Sequence, residues 1–422
     1  MSAATMFILN AWSEEELDTG KLKVTGFGSH ETGEIIKGRH MNVDFAHQWL
    51  MREFVNFTAK YTANEHFRLA VGLTARIWYE TYPDVKRNPW FPRKQYFSVY
   101  PHVASGIFSY DIGTISNMEM EFGYFPFKYN LDVRNLGEYL FRCNTYPPSV
   151  ITNFDMTFSR LAGGRVSTTF MDMVNLQVLL TQENILPSFY DPSLTVLADV
   201  NIKKTFDIGA GIMFNRFIAV DSLATWAMSR LSPPSTYFDT VDSVTKTLTH
   251  SGMKVMSRFS FDPKRLLFSE SNGIFGENDL RLYGEIALLG LQDYPIYYQD
   301  WKKRIPRMIG FNFPCFKVLD VAAFELEYYG WNYSNGYLWV VMDGTAVPNS
   351  ASGDYSDRDY NNDNWKWTVY LKKTFYRHSY ILLQFANDHW SLPQYDEKNY
   401  DRDEFCGRNT HWYWMTRFGV IF

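Results

Sequence analysis

Asp357, Asp359, Asn361 and Asp363 place an oxygen donor at every second position of one short stretch. That spacing matches the first half of a calcium loop, whose alternate side chains turn toward one ion. Asn362 stands where such loops carry glycine, and Asn tolerates the left-handed backbone required there. The twelfth position is Thr368, where a calcium loop supplies a bidentate Glu. A solvated acidic loop is therefore the competing reading.

Nucleophilic catalysis needs a base beside an activated hydroxyl or thiol. The nine histidines are scattered, and none sits in a local nucleophile motif. His102 and His411 fall on the polar side of alternating segments, where a lone imidazole is more often a wall residue than a catalyst. The expectation is a protein without catalytic residues, not an enzyme. Cys143, Cys315 and Cys406 lack metal-ligand spacing. A Cys143–Cys406 disulfide is one reading, three unpaired thiols the other.

The remaining chemistry is charge, and its placement depends on the elements that carry it. Side chains alternate across a strand. Around residues 66–80, Phe67, Leu69, Val71, Leu73, Ala75 and Ile77 alternate with Arg68, Ala70, Gly72, Thr74, Arg76 and Trp78. The same test predicts strands at 21–30, 48–61, 66–80, 96–110, 117–125, 151–160, 165–181 and 193–201. It continues at 205–217, 245–261, 279–290, 307–313, 317–329, 365–375 and 379–390, then a closing strand at 409–422. Short joins alternate with long ones, except that 262–278 is longer than its place in the rhythm.

Aromatics are 18% of the chain while mean hydropathy is −0.28. A soluble core of that many rings would read as more apolar. A closed sheet with a lipid face, a wet face and polar loops resolves the conflict. There is no run of 18 apolar residues to form a spanning helix, and a sheet crosses lipid only when closed. The net charge of −5 gives no reason to expect nucleic acid.

In the last strand Trp412, Trp414, Thr416, Phe418, Val420 and Phe422 share one face. Tyr413, Met415, Arg417, Gly419 and Ile421 share the other. This ending resembles the closing strand of bacterial outer-membrane β-barrels of the porin type. The resemblance implies an all-β fold: a closed antiparallel transmembrane barrel of about sixteen strands, with short periplasmic turns and long extracellular loops. Residues 1–19 then read as a signal remnant or periplasmic segment, although Met1 to Asn10 carry no Lys or Arg. Residues 20–422 read as one barrel domain.

The implied location is the outer membrane of a Gram-negative-type bacterium. The implied partners are lipid, lipopolysaccharide, the barrel-assembly machinery reading Phe422, and a homotrimer. Trp49, Tyr61, Tyr79, Trp365, Trp367, Trp412, Trp414 and Phe422 form the expected interfacial girdle. The acidic stretches 354–363 and 396–404 suit divalent ions that bridge lipopolysaccharide. Beyond calcium in the first of them, no cofactor is expected.

Inside such a barrel, Arg52, Lys60, Arg68, Arg76, Lys366, Lys372 and Arg417 make a basic arc, interrupted by Asp388. Glu119, Glu121, Asp155, Asp199 and Asp207 make an acidic arc. Lys254, Arg258, Arg281, Glu285, Glu325 and Glu327 mix the signs. Two readings stand side by side: a transverse field across a water-filled lumen, or charges that pair across strands.

The third long join, 126–150, places Leu136, Tyr139 and Leu140 on one helical face. By analogy with sixteen-stranded porins it dips inward, with Lys128, Arg134, Glu138 and Arg142 lining a constriction. A loop packed over the rim is the alternative. The functional expectation is passive diffusion of small hydrophilic solutes. Beside it stand a selective channel, with Tyr355, Tyr360, Trp390, Tyr395 and Tyr400 stacking on sugars, and a structural barrel scaffolding a surface assembly.

Overall fold

The computed structural model describes residues 20–40, 43–80, 94–112, 116–143, 158–171, 173–182, 184, 190–202, 205–218, 236–239, 243–247, 251–267, 274–291, 301–329, 365–376, 378–390 and 406–422. Sixteen antiparallel strands close into one barrel. They are β1 (Leu22–Lys37), β2 (Gln48–Thr62), β3 (Phe67–Glu80), β4 (Lys94–Ile112), β5 (Ser116–Phe127), β6 (Ser159–Phe170), β7 (Val174–Gln182) and β8 (Pro192–Ile202). The circuit continues with β9 (Phe206–Asn215), β10 (Gly252–Phe261), β11 (Leu282–Leu288), β12 (Arg307–Asn312), β13 (Val321–Tyr328), β14 (Trp365–Phe375), β15 (Ser379–Asn387) and β16 (Trp412–Ile421). Closure is made by β1, which pairs with β2 on one side and β16 on the other.

Alternation decides which face meets what. Val55, Phe57, Leu69, Val71, Leu73, Phe122, Val178, Ile208, Ile309 and Phe418 are exposed, while Arg52, Asn56, Thr74 and Arg417 between them are buried. An apolar outside and a polar inside invert a soluble protein, as a lipid-facing wall requires. Trp49, Tyr61, Trp365 and Phe422 are exposed on the outer face. Trp49 meets Trp414 edge-on at 5.7 Å across the closure.

Several expectations needed correction. The strand expected at 21–30 runs on to Lys37, so Glu31 is a wall residue and not the start of a loop. The strand expected at 245–261 begins at Gly252, and Val244–Thr247 instead pairs with Thr236–Asp239 in a separate hairpin. The turn expected at 161–164 is absent, because β6 runs straight through it and the chain reverses between Phe170 and Val174.

Two glycines explain the misplaced turn. Gly163 faces Gly123 across β5 and β6, both at positive φ. A Cβ on Gly163 would sit 2.1 Å from the Leu180 carbonyl oxygen, and one on Gly123 would sit 2.2 Å from that of Ala104. Here Gly marks close backbone approach within the sheet and not a reversal. The true turn has Met171 at φ 50 and a Met173 N–H to Phe170 carbonyl bond of 3.0 Å, with neither Gly nor Pro to announce it.

The connection after β10 is long because it braces its neighbour. Lys264 and Arg265, in the short helix α1 (Lys264–Leu267), pair with Asp262, and the Asp279 carboxylate accepts the N–H groups of Gly276 and Phe316.

Candidate functional site

After β5 the chain does not stay at the rim. Residues 128–143 enter the barrel and lie against β8 to β13 on the far wall. Tyr129 donates to the Ala198 carbonyl on β8 at 3.4 Å. The Lys254 ammonium on β10 donates to the carbonyls of Leu140 and, at 2.9 Å, Cys143. Glu285 on β11 accepts the Glu138 N–H at 2.7 Å. Glu325 on β13 accepts three consecutive loop N–H groups, from Arg134 at 2.5 Å and from Asn135 and Leu136 at 3.0 Å each, and also the Tyr283 hydroxyl at 2.9 Å. Tyr139 donates to Glu327 at 2.7 Å, and Arg281 grips Asp132 at 2.6 Å.

The logic of the insertion is hydrogen-bond accounting. A loop taken out of water brings bare backbone donors, and each one left unpaired costs free energy. Carboxylates are the strongest acceptors for such donors, and the wall supplies them where the loop lands. Apolar contact does the rest. Val133, Leu136, Tyr139 and Leu140 pack with Leu179, Leu197, Met213, Met256, Ala287 and Met308 of the wall in one buried cluster. Gly137, at φ 83, lets the backbone press against Glu285, whose Oε2 would lie 2.9 Å from an added Cβ. The helical turn expected near 135–142 is α2 (Tyr139–Arg142), one turn long.

The four residues expected to line a constriction are all buried. Lys128 donates to the Val133 carbonyl at 2.5 Å, and Arg142 to the Asn135 carbonyl at 3.2 Å. The Glu138 carboxylate accepts the N–H groups of Tyr129 and Asn130. These three hold the loop to itself. Burial pulls the Lys128 ammonium down to about 8 despite the neighbouring Glu138. Burial works to raise the Asp132 carboxyl, but the Arg281 guanidinium more than offsets it and holds the group at about 2. Arg134 differs: its backbone is pinned, yet its Nε and Nη2 are buried without a hydrogen-bond partner among the described residues.

The acidic arc is paired. Glu119 lies 3.2 Å from Arg68 and 2.7 Å from Arg165, and Glu121 lies 3.1 Å from Arg165. Arg258 reaches Asp199 at 2.6 Å and Asp207 at 3.0 Å. The pairing of charges across strands therefore holds for these four acids, and their field is that of short local dipoles. Asp155 lies outside the described residues.

The basic residues follow from register. Pairing places Lys372, Leu382, Arg417, Glu31, Arg52 and Trp78 in one row across β14, β15, β16, β1, β2 and β3. Glu31 is shared by Arg52 and Arg417. From Trp78 a ladder of guanidiniums and rings continues round the wall. Arg52 lies 4.4 Å and Arg76 5.0 Å from the Trp78 ring; Arg76 lies 5.4 Å and Arg160 4.8 Å from that of Tyr100. Cation–π contact holds each planar group in place. Lys366 is buried and donates to the Cys406 carbonyl at 2.7 Å, while Lys60 sits half-buried opposite Ala70.

Glu31, Arg160, Tyr100 and Arg165 were missed by sequence reasoning. By the sequence pattern Glu31 falls in a join, and the misplaced turn separates Arg160 from Arg165, which share β6 in the structure.

The other candidates divide simply. Asp357, Asp359, Asn361, Asp363, Tyr355, Tyr360, Tyr395 and Tyr400 lie outside the described residues. Trp390 is not offered to solutes: it is buried, 4.8 Å from the Tyr413 ring. His102 is held between the hydroxyls of Thr58 at 2.8 Å and Thr74 at 3.1 Å. All three cysteines are free thiols. Among the described residues no cluster of three metal-binding side chains occurs.

Comparison with solved structures finds the same barrel. The high-pH structure of Pseudomonas putida OprB aligns over 95% of this chain and 94% of its own, with a TM-score of 0.52 and 10% identity. A mutant of the Rh. blastica porin covers 95% of this chain and all of its own at 7% identity, but its TM-score of 0.43 is too low to add to the argument. No family model matches the sequence. No curated protein matches it either. What is shared is the fold: a closed sixteen-stranded antiparallel barrel.

Proposed function

We propose that this protein is an outer-membrane channel, in a Gram-negative-type bacterium, for passive diffusion of small hydrophilic solutes. The observation that carries the reading is the inverted barrel. Its outside is apolar, its inside is charged, and a chain segment lodges within it against one wall. A sheet of eight strands fills with its own side chains, whereas sixteen leave room for an aqueous path. The inserted loop fills part of that room, so the path runs beside it.

The ladder of Arg52, Trp78, Arg76, Tyr100 and Arg160 favours a selective channel over an indifferent one. Rigid guanidinium edges along one wall offer forked donors to oxygen-rich solutes. Planar-bilayer recording with the purified full chain tests the proposal: discrete current steps support it, and a well-folded barrel that passes no current favours a structural scaffold instead.

A further inference from the structure

Where loop and wall meet beside the row of paired residues, positive charge collects. Arg134 comes from the loop, with 3% of its surface exposed and two nitrogens lacking partners. Lys372 comes from β14, with 2% exposed. Its ammonium rests 4.7 Å from the Tyr380 ring and makes no ion pair among the described residues. The Arg134 and Arg417 guanidiniums both act on Lys372, with Asp320 as the opposing charge. Arg417 sits one strand beyond Leu382 in the same row and lies beside the Tyr380 hydroxyl.

The nearby carboxylates are already engaged: Asp132, which also feels the Arg134 charge, is held by Arg281 at 2.6 Å. Glu31 is divided between Arg52 and Arg417. Glu325 accepts three backbone N–H groups and a tyrosine hydroxyl, and Asp320 accepts the Thr374 N–H at 2.6 Å. Buried charge without a counter-charge is strongly unfavourable. Two like charges buried side by side are worse.

We propose that Arg134, Lys372 and Arg417 form a binding site for a small oxyanion, a phosphate or carboxylate group, held between the inserted loop and the wall of β14 to β16. Guanidinium forks and an ammonium are the donors that recognise such groups. The site has a hydrophobic back formed by Phe27, Phe54, Tyr380 and Leu382, which keeps water from screening the contact. The binding inference stands apart from transport. Only its extension, that permeating solutes carry such a group, rests on the channel reading.

Isothermal titration of the detergent-purified full chain with sodium phosphate, at constant ionic strength in chloride, tests it. The wild type is expected to bind saturably. Arg134→Gln and Lys372→Gln should each weaken binding at least 10-fold, Lys372→Arg should restore most of it, and Lys373→Gln on the opposite face should leave it unchanged. Because Nε and Nη2 of Arg134 have no hydrogen-bond partner among the described residues, R134Q keeps the test valid if K372Q does not fold.

Acetate and a hexose phosphate, titrated in parallel, separate the sources. Tighter binding of the hexose phosphate assigns the group to a sugar, and equal binding assigns it to the free anion. Absence of binding by all three, or equal binding by wild type and both glutamine variants, overturns the proposal. A barrel that binds phosphate but passes no current would keep the site and end the channel reading.

Discussion

Along β7 to β12 the inward positions include Leu179, Leu197, Met213, Met256 and Met308, and the loop packs onto them as a second layer. Along β2 and β3 they include Arg52, Asn56, Thr74 and Arg76 beside Leu50 and Trp78, and these meet neighbouring side chains across the wall. The same two-residue period builds both halves. One half is a core built by the inserted loop; the other is a wall where charged side chains stand among aromatic and apolar ones. The difference also sorts charge. Carboxylates on the filled side are occupied by loop N–H groups, and those on β5, β8 and β9 by arginines. Among the described residues, the buried charges beside the loop that lack an ion-pair partner are basic ones, on Arg134 and Lys372.

The comparison breaks most readily at Glu325. We predict that Glu325→Ala strands three loop donors together, releases the loop and raises single-channel conductance severalfold. The lost docking is about 3 kcal/mol or more, at about 1–3 kcal/mol for each buried donor left unpaired. An unchanged conductance would mean that the loop does not restrict the path.

Next in size is Arg258→Leu. It removes the partner of both Asp199 and Asp207. Breaking a buried pair costs about 3–5 kcal/mol, so the thermal midpoint should fall, and cation preference should rise as two acids are freed. A stability equal to wild type would show that these pairs contribute little.

Lys128 gives the loop a pH dependence of known sign. Its folded value of about 8 lies below the free 10.5, so the folded state disfavours the charged form. The penalty is fully present below pH 8 and fades as pH rises from 8 toward 10.5. At 1.36 kcal/mol per unit it amounts to about 3 kcal/mol. Conductance noise from loop motion should therefore diminish between pH 7 and 10 in the wild type but not in Lys128→Met.

Asp132 behaves in the opposite sense. Its contribution holds at neutral pH and is lost only as pH falls from about 4 through about 2. Loop protection from protease at pH 5 should thus match that at pH 7. Smallest of all, Trp49→Phe at the outer edge-on pair with Trp414 should change stability by about 1 kcal/mol or less.

Much of the barrel is legible in the sequence because its period is local: alternation in β3 or β16 needs no knowledge of partners. Turns are less legible, since Gly163 and Gly164 look like a reversal but serve a close approach, while Met171 reverses the chain unannounced. The loop's destination was also written locally, as apolar residues on faces that water would otherwise wet, but its meaning appears only once closure puts β5 opposite β11 and β13. Pairings such as Glu31 with Arg417, 386 residues apart, depend on that closure entirely.

The reversal potential of the wild-type channel in a salt gradient probes the contrast between the two walls most directly. With Arg134 and Lys372 lacking ion-pair partners beside the loop among the described residues, anions should be preferred over cations, and the preference should weaken as phosphate is added. A preference for cations, or a reversal potential indifferent to phosphate, would contradict it.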